Sequence, residues 1–450
     1  MRSVTLEFGT YKDLIIYLKS STGGRFVVTG RLRLTILVFA LLCLLIAESA
    51  AAATTIRFLA PPRNTTDGRN LYEVLVETFN ASQDEIVVEY EPAASDWREK
   101  VPLAFISGTA PDVIAGWESF FRSWLELGQA LPLDRYLTPD LTRDFVPSHL
   151  ELYRIDGVQY ALPHYTGVSG MFYNKNMFDE AGLPEPDETW SWDTITEAAR
   201  KLTKRTGDLV TQWGYDVHPD WDRLVQWVWE NGGRVIDEGK FVGDRLYFDE
   251  EPAIQAFEFL HSLIWEAGVA APYSVLGKWP HEMFWSGTDL AIWFTGSWDV
   301  SVTLDRCACD WNVAPRPMGP TGIRSAVHTS DGYMVYKGTN HPDAAVKFLL
   351  FLVSPEAQRL QMQLANLQPA RLSLGAEYAT ETEGAARGIN MKVFIDQTAY
   401  ARPAPLFVNQ QEVMELRWPY VDRMLYQNEL PVRQGMLEWT RLANALMAGE

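Results

Sequence analysis

Apolar residues recur along the chain at two different periods, and the switches between them divide it into elements. Residues 54–61 (TTIRFLAP) are a short β-branched and apolar run that reads as a strand. Turn residues fill the stretch from Pro61 to Asn70. From Leu71 to Asn80 the apolar positions Leu71, Val74, Leu75 and Phe79 fall at helical spacing. Ile86 to Tyr90 is a second strand, Trp97 to Ser107 a helix closed by Gly108, and Asp112 to Ala115 a third strand running into Gly116-Trp117-Glu118. This alternation predicts a parallel α/β sheet. Ligands of such sheets sit beyond the carboxyl ends of the strands, here Pro61–Thr65 and Trp117–Ser119.

Further on, Val158 to Leu162 predicts a strand after the turn Asp156-Gly157, followed by a connecting segment, Pro163 to Gly167. GMFYNKNMFDEAGL predicts a strand turning into a helix. Thr189 or Ser191 caps a helix over Trp192–Thr203. Leu224–Glu230 and Pro252–Ala267 read as helices, the first closed by Asn231-Gly232-Gly233 and the second by Gly268. Another helix spans Asp343–Leu352 and is followed by SPEAQRLQMQL. The last eighty residues read as helical and loop-rich, broken at Pro403, Pro405, Pro419 and Pro431.

The N-terminus adds an address. Arg31 and Arg33 precede an apolar run, Leu34 to Ile46, and then ESAAAA, the layout of a secretory signal peptide with cleavage near Ala51–Ala53. The run is short for a bilayer span. The expected destination is the periplasm. Cys43 lies inside the run after Leu41 and Leu42, where a lipid-attachment site has small residues. The other cysteines, Cys307 and Cys309, read as packing thiols. One residue between them makes a tight loop for a disulfide, and two ligands do not make a metal site.

A chain of 450 residues with 47% hydrophobic and 22% charged residues is globular and long enough for two domains. Its net charge is −19, and the first fifty residues are net basic, so the remainder is more acidic still. That balance argues against nucleic acid as a partner. The seven histidines show no zinc spacing, and there is no phosphate loop, dinucleotide fingerprint or nucleophile elbow. No cofactor, metal or catalytic residue is expected.

The informative excess is aromatic: 17 Trp, 18 Tyr and 21 Phe. Sugar rings offer an apolar C–H face and a belt of hydroxyls, which suits tryptophan faces combined with planar hydrogen-bonding side chains. Trp117, Trp298 (in Gly-Ser-Trp-Asp) and Trp229 stand beside turn residues and qualify as binding candidates. Trp190, Trp192, Trp227, Trp265 and Trp311 are assigned to the core, as are Trp285 and Trp293.

Four segments then carry a resemblance to a family: GTAPDV at 108–113, YALPHYTGVSGMFYNKNMFDEAG at 160–182, Phe284–Pro320 with its Gly-Ser-Trp, and DAAVKFLLFLVSPEAQ at 343–358. Together they resemble the extracellular solute-binding proteins of ABC importers, in the carbohydrate-binding cluster similar to maltose-binding protein. The resemblance implies an α/β, two-lobe periplasmic-binding-protein fold of type II, each lobe a mixed sheet flanked by helices. Residues 1–53 are then an N-terminal extension and signal peptide. Lobe one is 54–164 plus 312–365, lobe two 168–310 plus 370–450. Crossings are expected at Tyr165–Ser169, Asp310–Ala314 and Leu364–Ala370.

The resemblance implies ligand contacts from Trp298, from Trp117, Glu118 and Ser119, from Arg63 and Asn64, and from His164, Tyr165 and Thr166. Asp331, Gly332 and Tyr333 stand where the family has a Gly-rich turn, and Arg371 is within the C-terminal third that looks like the family's. The implied function is capture of a mono-, di- or oligosaccharide by hinge closure and its delivery to the permease transmembrane subunits, by a monomer. A receptor for a polyol or glycerol phosphate ester is the alternative ligand reading, and a secreted glycosidase the alternative class.

Overall fold

The computed structural model describes residues 53–449, apart from 118–120, 122, 126, 238–239, 241 and 273–275, together with 18–19 and 25–26. The apolar run 34–46 with its basic flank, Cys43, Glu118 and Ser119 lie outside the described residues. The chain separates into two compact units, Met1–Thr54 and Thr55–Glu450. In the first, Leu18–Lys19 pairs antiparallel with Arg25–Phe26.

From Thr54 onward the expected alternation is present as β1 (Thr54–Ala60), α1 (Leu71–Ser82), β2 (Ile86–Pro92), α2 (Trp97–Ser107) and β3 (Val113–Trp117). β1 and β3 are parallel, with β2 on the outer edge. The Asn70 side chain accepts from the Tyr72 amide and caps α1, whose helical-period residues Leu71, Val74, Leu75 and Phe79 are buried.

β4 (Ala161–Asn174) is one strand of 14 residues, all buried, where the sequence suggested a strand, a connection and a second strand. Both faces of β4 are covered, so it carries apolar residues on both sides and shows no period-two alternation. After it come α3 (Trp192–Leu202), β5 (Leu209–Asp216), α4 (Trp221–Glu230), α5 (Glu251–Trp265), β6 (Ala270–Ala271), α6 (Pro280–Trp285), β7 (Leu290–Gly296), α7 (Val300–Arg306), β8 (Trp311–Ala314) and β9 (Ala326–Val335). The remaining principal elements are α8 (Pro342–Leu352), α9 (Pro355–Ala365), β10 (Ala401–Pro403) and α10 (Val432–Ala448).

A single mixed sheet runs in the order β6-β5-β7-β4-β9-β3-β1-β2, with β8 also pairing β4 and β10 pairing β9. β6, β5 and β7 run parallel, whereas β4 is antiparallel to β7 and to β9. The two halves of this sheet have separate cores. Ile56, Phe58, Leu75, Val113, Tyr333 and Phe348 belong to one. Trp192, Tyr215, Leu224, Phe257, Phe294 and Trp439 belong to the other.

β4 and β9 are the members common to both halves. β4 pairs with β9 through Ala161–Val168 and with β7 through Ser169–Tyr173. β9 pairs with β10 at Ala326–His328 and with β3 at Asp331–Val335. The second crossing, expected at Asp310–Ala314, therefore falls later. Residues 311–314 are β8, paired with the Asn174 end of β4, and the strand that changes halves is β9 at His328–Asp331. The cause lies in the segment after β8, where α3 and α4 hold Met318 and Arg316, so the chain stays on the β5–β7 half until β9 begins.

Cys307 and Cys309 correct another expectation. They form a disulfide, with Cα atoms 5.3 Å apart. That separation lies within the ordinary range even though only one residue intervenes.

The most buried ion pair anchors the 316–319 segment. Arg316 Nε donates to Glu230 Oε1 at 2.8 Å, and neither side chain has exposed surface. Trp192 Nε1 donates to Oε2 at 3.0 Å. Burial pushes the Glu230 carboxyl up from its ordinary range, and the arginine opposes this. Removing one partner of such a pair leaves an uncompensated buried charge. Arg316→Met is expected to cost about 3–5 kcal/mol in urea unfolding, with part recovered in the double variant Arg316→Met/Glu230→Leu. A neutral Arg316→Met would show that the pair does not anchor this segment.

Candidate functional site

The loop after β1 is fixed before it meets any ligand. Arg63 C=O accepts from the Leu71 amide at 2.8 Å, and the Thr66 amide donates to Leu364 C=O at 2.7 Å. Arg63 is thereby held over β9, where its Nη2 donates to Asp331 Oδ2 at 3.1 Å. The arginine side chain keeps 26% of its surface exposed and the aspartate 6%. The guanidinium also lies over the Tyr165 ring, 5.3 Å from its centroid. Asp331 owes its position to an irregularity in β9: opposite Asp331 is Tyr165, but opposite Gly332 is Pro163, so His164 is bulged out of the β4 register. A bulge of this kind re-aims a side chain, and Asp331 lines the cleft.

The facing wall is Trp298, in the short turn Ser297–Asp299 between β7 and α7. Its ring lies against bare backbone. A Cβ on Gly167 of β4 would come within 2.7 Å of Trp298 Cε3, and one on Gly296 within 2.3 Å of Cη2. Only glycine permits so close an approach at these two positions. Ser297 Oγ accepts from the Val168 amide at 3.1 Å, tying the turn to the crossing strand.

Arg223, near the start of α4, places its guanidinium over Trp298, 5.1 Å from the ring centroid. It is ion-paired with Asp222 and donates from Nη2 to Thr295 Oγ1 at 3.1 Å. Thr295 in turn donates to Asp299, whose carboxyl is pushed up by burial.

Three contiguous cavities lie along these walls. The first, about 500 Å³, is lined by Arg63, Asn64, Trp117, Trp298 and Asp331, and continues along α7 to Ser301 and Asp305. The second, about 950 Å³, is lined by Trp117, Asp222, Arg223 and Trp298 and extends to Trp279 and Trp285. A third, about 350 Å³, joins them and adds Tyr165 and Thr329. Trp117 and Trp298 border all three. Trp117 meets Trp97 edge to face at 6.1 Å, and Arg98 lies over it at 4.6 Å. The first two volumes fall in the range of small-molecule sites.

Of the residues singled out from sequence, Trp298, Trp117, Arg63, Asn64, Tyr165 and Asp331 thus border one continuous cleft. Others are buried behind it. His164 lies in the core beneath Asp331: its Nδ1 meets Gln361 Oε1 at 2.8 Å and its ring stacks on Tyr333 at 4.5 Å. Burial and the nearby Arg63 push His164 down to about 3, so it is neutral. Thr166 bonds to His149 Nδ1 at 3.0 Å. Gly332 faces the Tyr153 ring, and Tyr333 packs on Phe58. Thr166 and Gly332 face away from the cleft because they alternate along β4 and β9 with Tyr165 and Asp331, whereas His164 and Tyr333 lie on the Asp331 side but beneath it, in the core.

Trp229 is core, with Arg402 over its ring at 5.6 Å. Arg371 is a structural residue, paired with Asp144 at 3.0 Å and donating to Val353 C=O at 2.6 Å.

Other cleft residues went unnoticed in the sequence. Asp222 and Arg223 look like the solvated first turn of a helix, and no spacing rule separates them from that. Trp285, assigned to the core, borders the second cavity, as do Trp279 and His281, while Trp293 behind them is buried in the core as expected. Trp265, also assigned to the core, is 44% exposed. The cluster Trp279-Pro-His281…Trp285 was a legible signal, since aromatic residues beside a Pro-initiated helix turn are poorly covered. Among the described residues, no group of three or more His, Cys, Asp or Glu is placed to hold a metal ion.

A mixed sheet of two halves bridged by crossing strands, with a cleft where they meet, defines a two-lobed solute-binding architecture. The comparisons with known proteins agree. The family described as bacterial extracellular solute-binding protein matches residues 63–359, and the chain belongs to it. An arabinooligosaccharide-binding protein of Halalkalibacterium halodurans is 29% identical over 280 residues, covering 60% of each chain. A maltotriose-binding protein of Pyrococcus abyssi is 26% identical over 296 residues, 64% of this chain and 60% of the relative. The match thus spans three-fifths of the length of these relatives. Among solved structures, an ABC substrate-binding protein from Listeria monocytogenes in complex with cycloalternan superposes with a TM-score of 0.75 at 20% identity, over 88% of this chain and 99% of that one.

Burial pushes the Asp331 carboxyl from 3.8 up to about 6, against the pull of Arg63. In the window between about 4 and about 6 the folded protein holds a proton that the unfolded chain has released. Its contribution to stability therefore falls as pH rises through that window, by roughly 3 kcal/mol. Denaturant unfolding across this range is expected to show that decline in the wild type and to lose it in Asp331→Asn. Identical profiles would place the carboxyl at its ordinary value.

Proposed function

We propose that the chain is the solute-capturing receptor of an ABC importer and that its ligand is a neutral carbohydrate. The observation that carries this is the pair Trp117 and Trp298 on one cleft, with the Arg63–Asp331 and Asp222–Arg223 pairs beside them. Flat apolar faces suit the C–H faces of sugar rings. Carboxylate and guanidinium groups held in pairs offer planar acceptors and donors to hydroxyls while adding no net charge. Relatives that bind an arabinooligosaccharide and maltotriose support the same class.

A phosphate ester is disfavoured. Phosphate sites supply surplus cations or free N–H donors, whereas both arginines of the junction already have aspartate partners. The cleft residues are binding groups, and no turnover of a glycoside is expected.

In this reading the lobes are about 54–164 with 332–365, and about 168–328 with 374–450. They cross at 165–167, 329–331 and 366–373. Ligand contacting both lobes favours the closed form by its differential affinity. The N-terminal apolar run exports the chain to the periplasm, where the closed monomer meets its permease.

Titration with neutral oligosaccharides, followed by tryptophan fluorescence, tests the proposal. Trp298→Ala is expected to weaken binding by about tenfold or more and to remove much of the fluorescence change. Unaltered affinity in Trp298→Ala, or tighter binding of glycerol phosphate than of any neutral saccharide, would contradict it.

A further inference from the structure

The disulfide between Cys307 and Cys309 closes the turn after α7, ahead of β8. A link across one intervening residue restricts the unfolded chain less than a link across a long loop. Its effect is therefore local, on the turn itself. It holds the two Cα atoms 5.3 Å apart, whereas two residues of extended chain span up to about 7 Å. The shortened turn brings the Ala308 backbone against the end of α6. The Ala308 amide donates to Trp285 C=O at 3.0 Å, and a Cβ on Gly287 would come within 3.2 Å of the Ala308 backbone. The Cys307 amide donates to Thr303 C=O at 2.9 Å, and Trp285 Nε1 donates to Thr303 Oγ1 at 3.1 Å. The turn thus fastens α7 to α6. α7 lines the first cavity with Ser301, Leu304 and Asp305, and Trp285 borders the second.

Two features suit this link to opening as well as to closure. Cys307 and Cys309 are half-buried and Ala308 is exposed, so an attacking thiolate can reach a sulfur. Cys307 Sγ also lies 3.6 Å from Phe284 C=O. A disulfide sulfur has no hydrogen to donate, whereas a thiol has one. The reduced form therefore finds an acceptor already in place. Phe284 C=O takes the Gly287 amide at 3.0 Å and keeps a second lone pair. Exposed disulfides are the labile and regulatory ones, in contrast to those locked in a core.

We propose that Cys307–Cys309 is a thiol-exchange site, opened by a dithiol reductant and closed by a disulfide oxidant, and that opening it loosens α7 from α6. One thiolate of the dithiol attacks Cys309 Sγ, and Cys307 leaves as a thiolate and takes up a proton. The second thiol of the reductant loses its proton and displaces Cys309, which leaves as a thiolate and is protonated in turn. The reductant departs as its own disulfide, and two electrons and two protons have passed to the pair. The turn then extends, Ala308 withdraws from Trp285 C=O, and the α7 wall gains freedom. Ligand capture is thereby made sensitive to the thiol–disulfide balance around the protein.

The test compares the folded full chain in oxidised and in reduced dithiothreitol. Alkylation of Cys307 and Cys309 and amide hydrogen exchange over residues 303–310 are read by mass spectrometry. Reductant is expected to expose both cysteines to labelling with the far-UV circular dichroism unchanged. Exchange of the Ala308 amide is expected to speed up by about tenfold, and reoxidation to restore it. The double variant Cys307→Ser/Cys309→Ser is expected to exchange at the faster rate in both conditions. Labelling that requires denaturant, or exchange over 303–310 that is the same in both redox forms, would overturn the proposal. Neither readout needs a ligand, so this site and the carbohydrate reading stand or fall separately.

Discussion

The antiparallel pairing of β4 with β9 is the constraint on which the rest depends. These two strands belong to both halves of the sheet, and Tyr165, Asp331 and the backbone under Trp298 are placed by them. Their pairing places Asp331 opposite Tyr165, and the bulge at His164 turns the aspartate toward Arg63. Gly167 on β4 lets the Trp298 ring approach the backbone, and the Val168 amide holds the turn that carries it. The two walls of the cleft are thus referenced to one pair of strands.

The electrostatics of the cleft depend on the same arrangement. Each side supplies one Asp–Arg pair, and each arginine also lies over an aromatic ring: Arg63 over Tyr165, Arg223 over Trp298. Such pairs orient donors and acceptors without a net field. The strongly acidic surface of the chain, at −19 overall, therefore says little about the ligand.

The β1–β3 region was legible in sequence because its periods are clean and its helices are capped: Asn70 and Gly108 stand where the rules put them. β4 was not legible as one strand. Pro163 and Gly167 break the run into two strands, and a strand covered on both faces gives no alternation to count. The Gly-Ser-Trp turn singled out Trp298, which lines the cleft, since a tryptophan beside Gly and Asp is poorly covered. The same rule failed for Trp229, where Arg402 and the α4 core provide the cover. His164 and Thr166 were assigned to the site because they are polar and lie at a crossing. Strand alternation turns Thr166 away, the bulge leaves His164 in the core beneath Asp331, and no sequence rule fixes which parity faces the cleft. Asp222 and Arg223 were missed for the opposite reason: a charged first helical turn usually faces water.

The central claim is that a saccharide is held between two halves that close on it. Small-angle X-ray scattering of the protein with and without saturating neutral oligosaccharide tests it most directly. The account predicts a smaller radius of gyration in the bound state, with Trp298→Ala failing to contract at the same ligand concentration. A saccharide that binds with full occupancy and leaves the radius of gyration unchanged would contradict it.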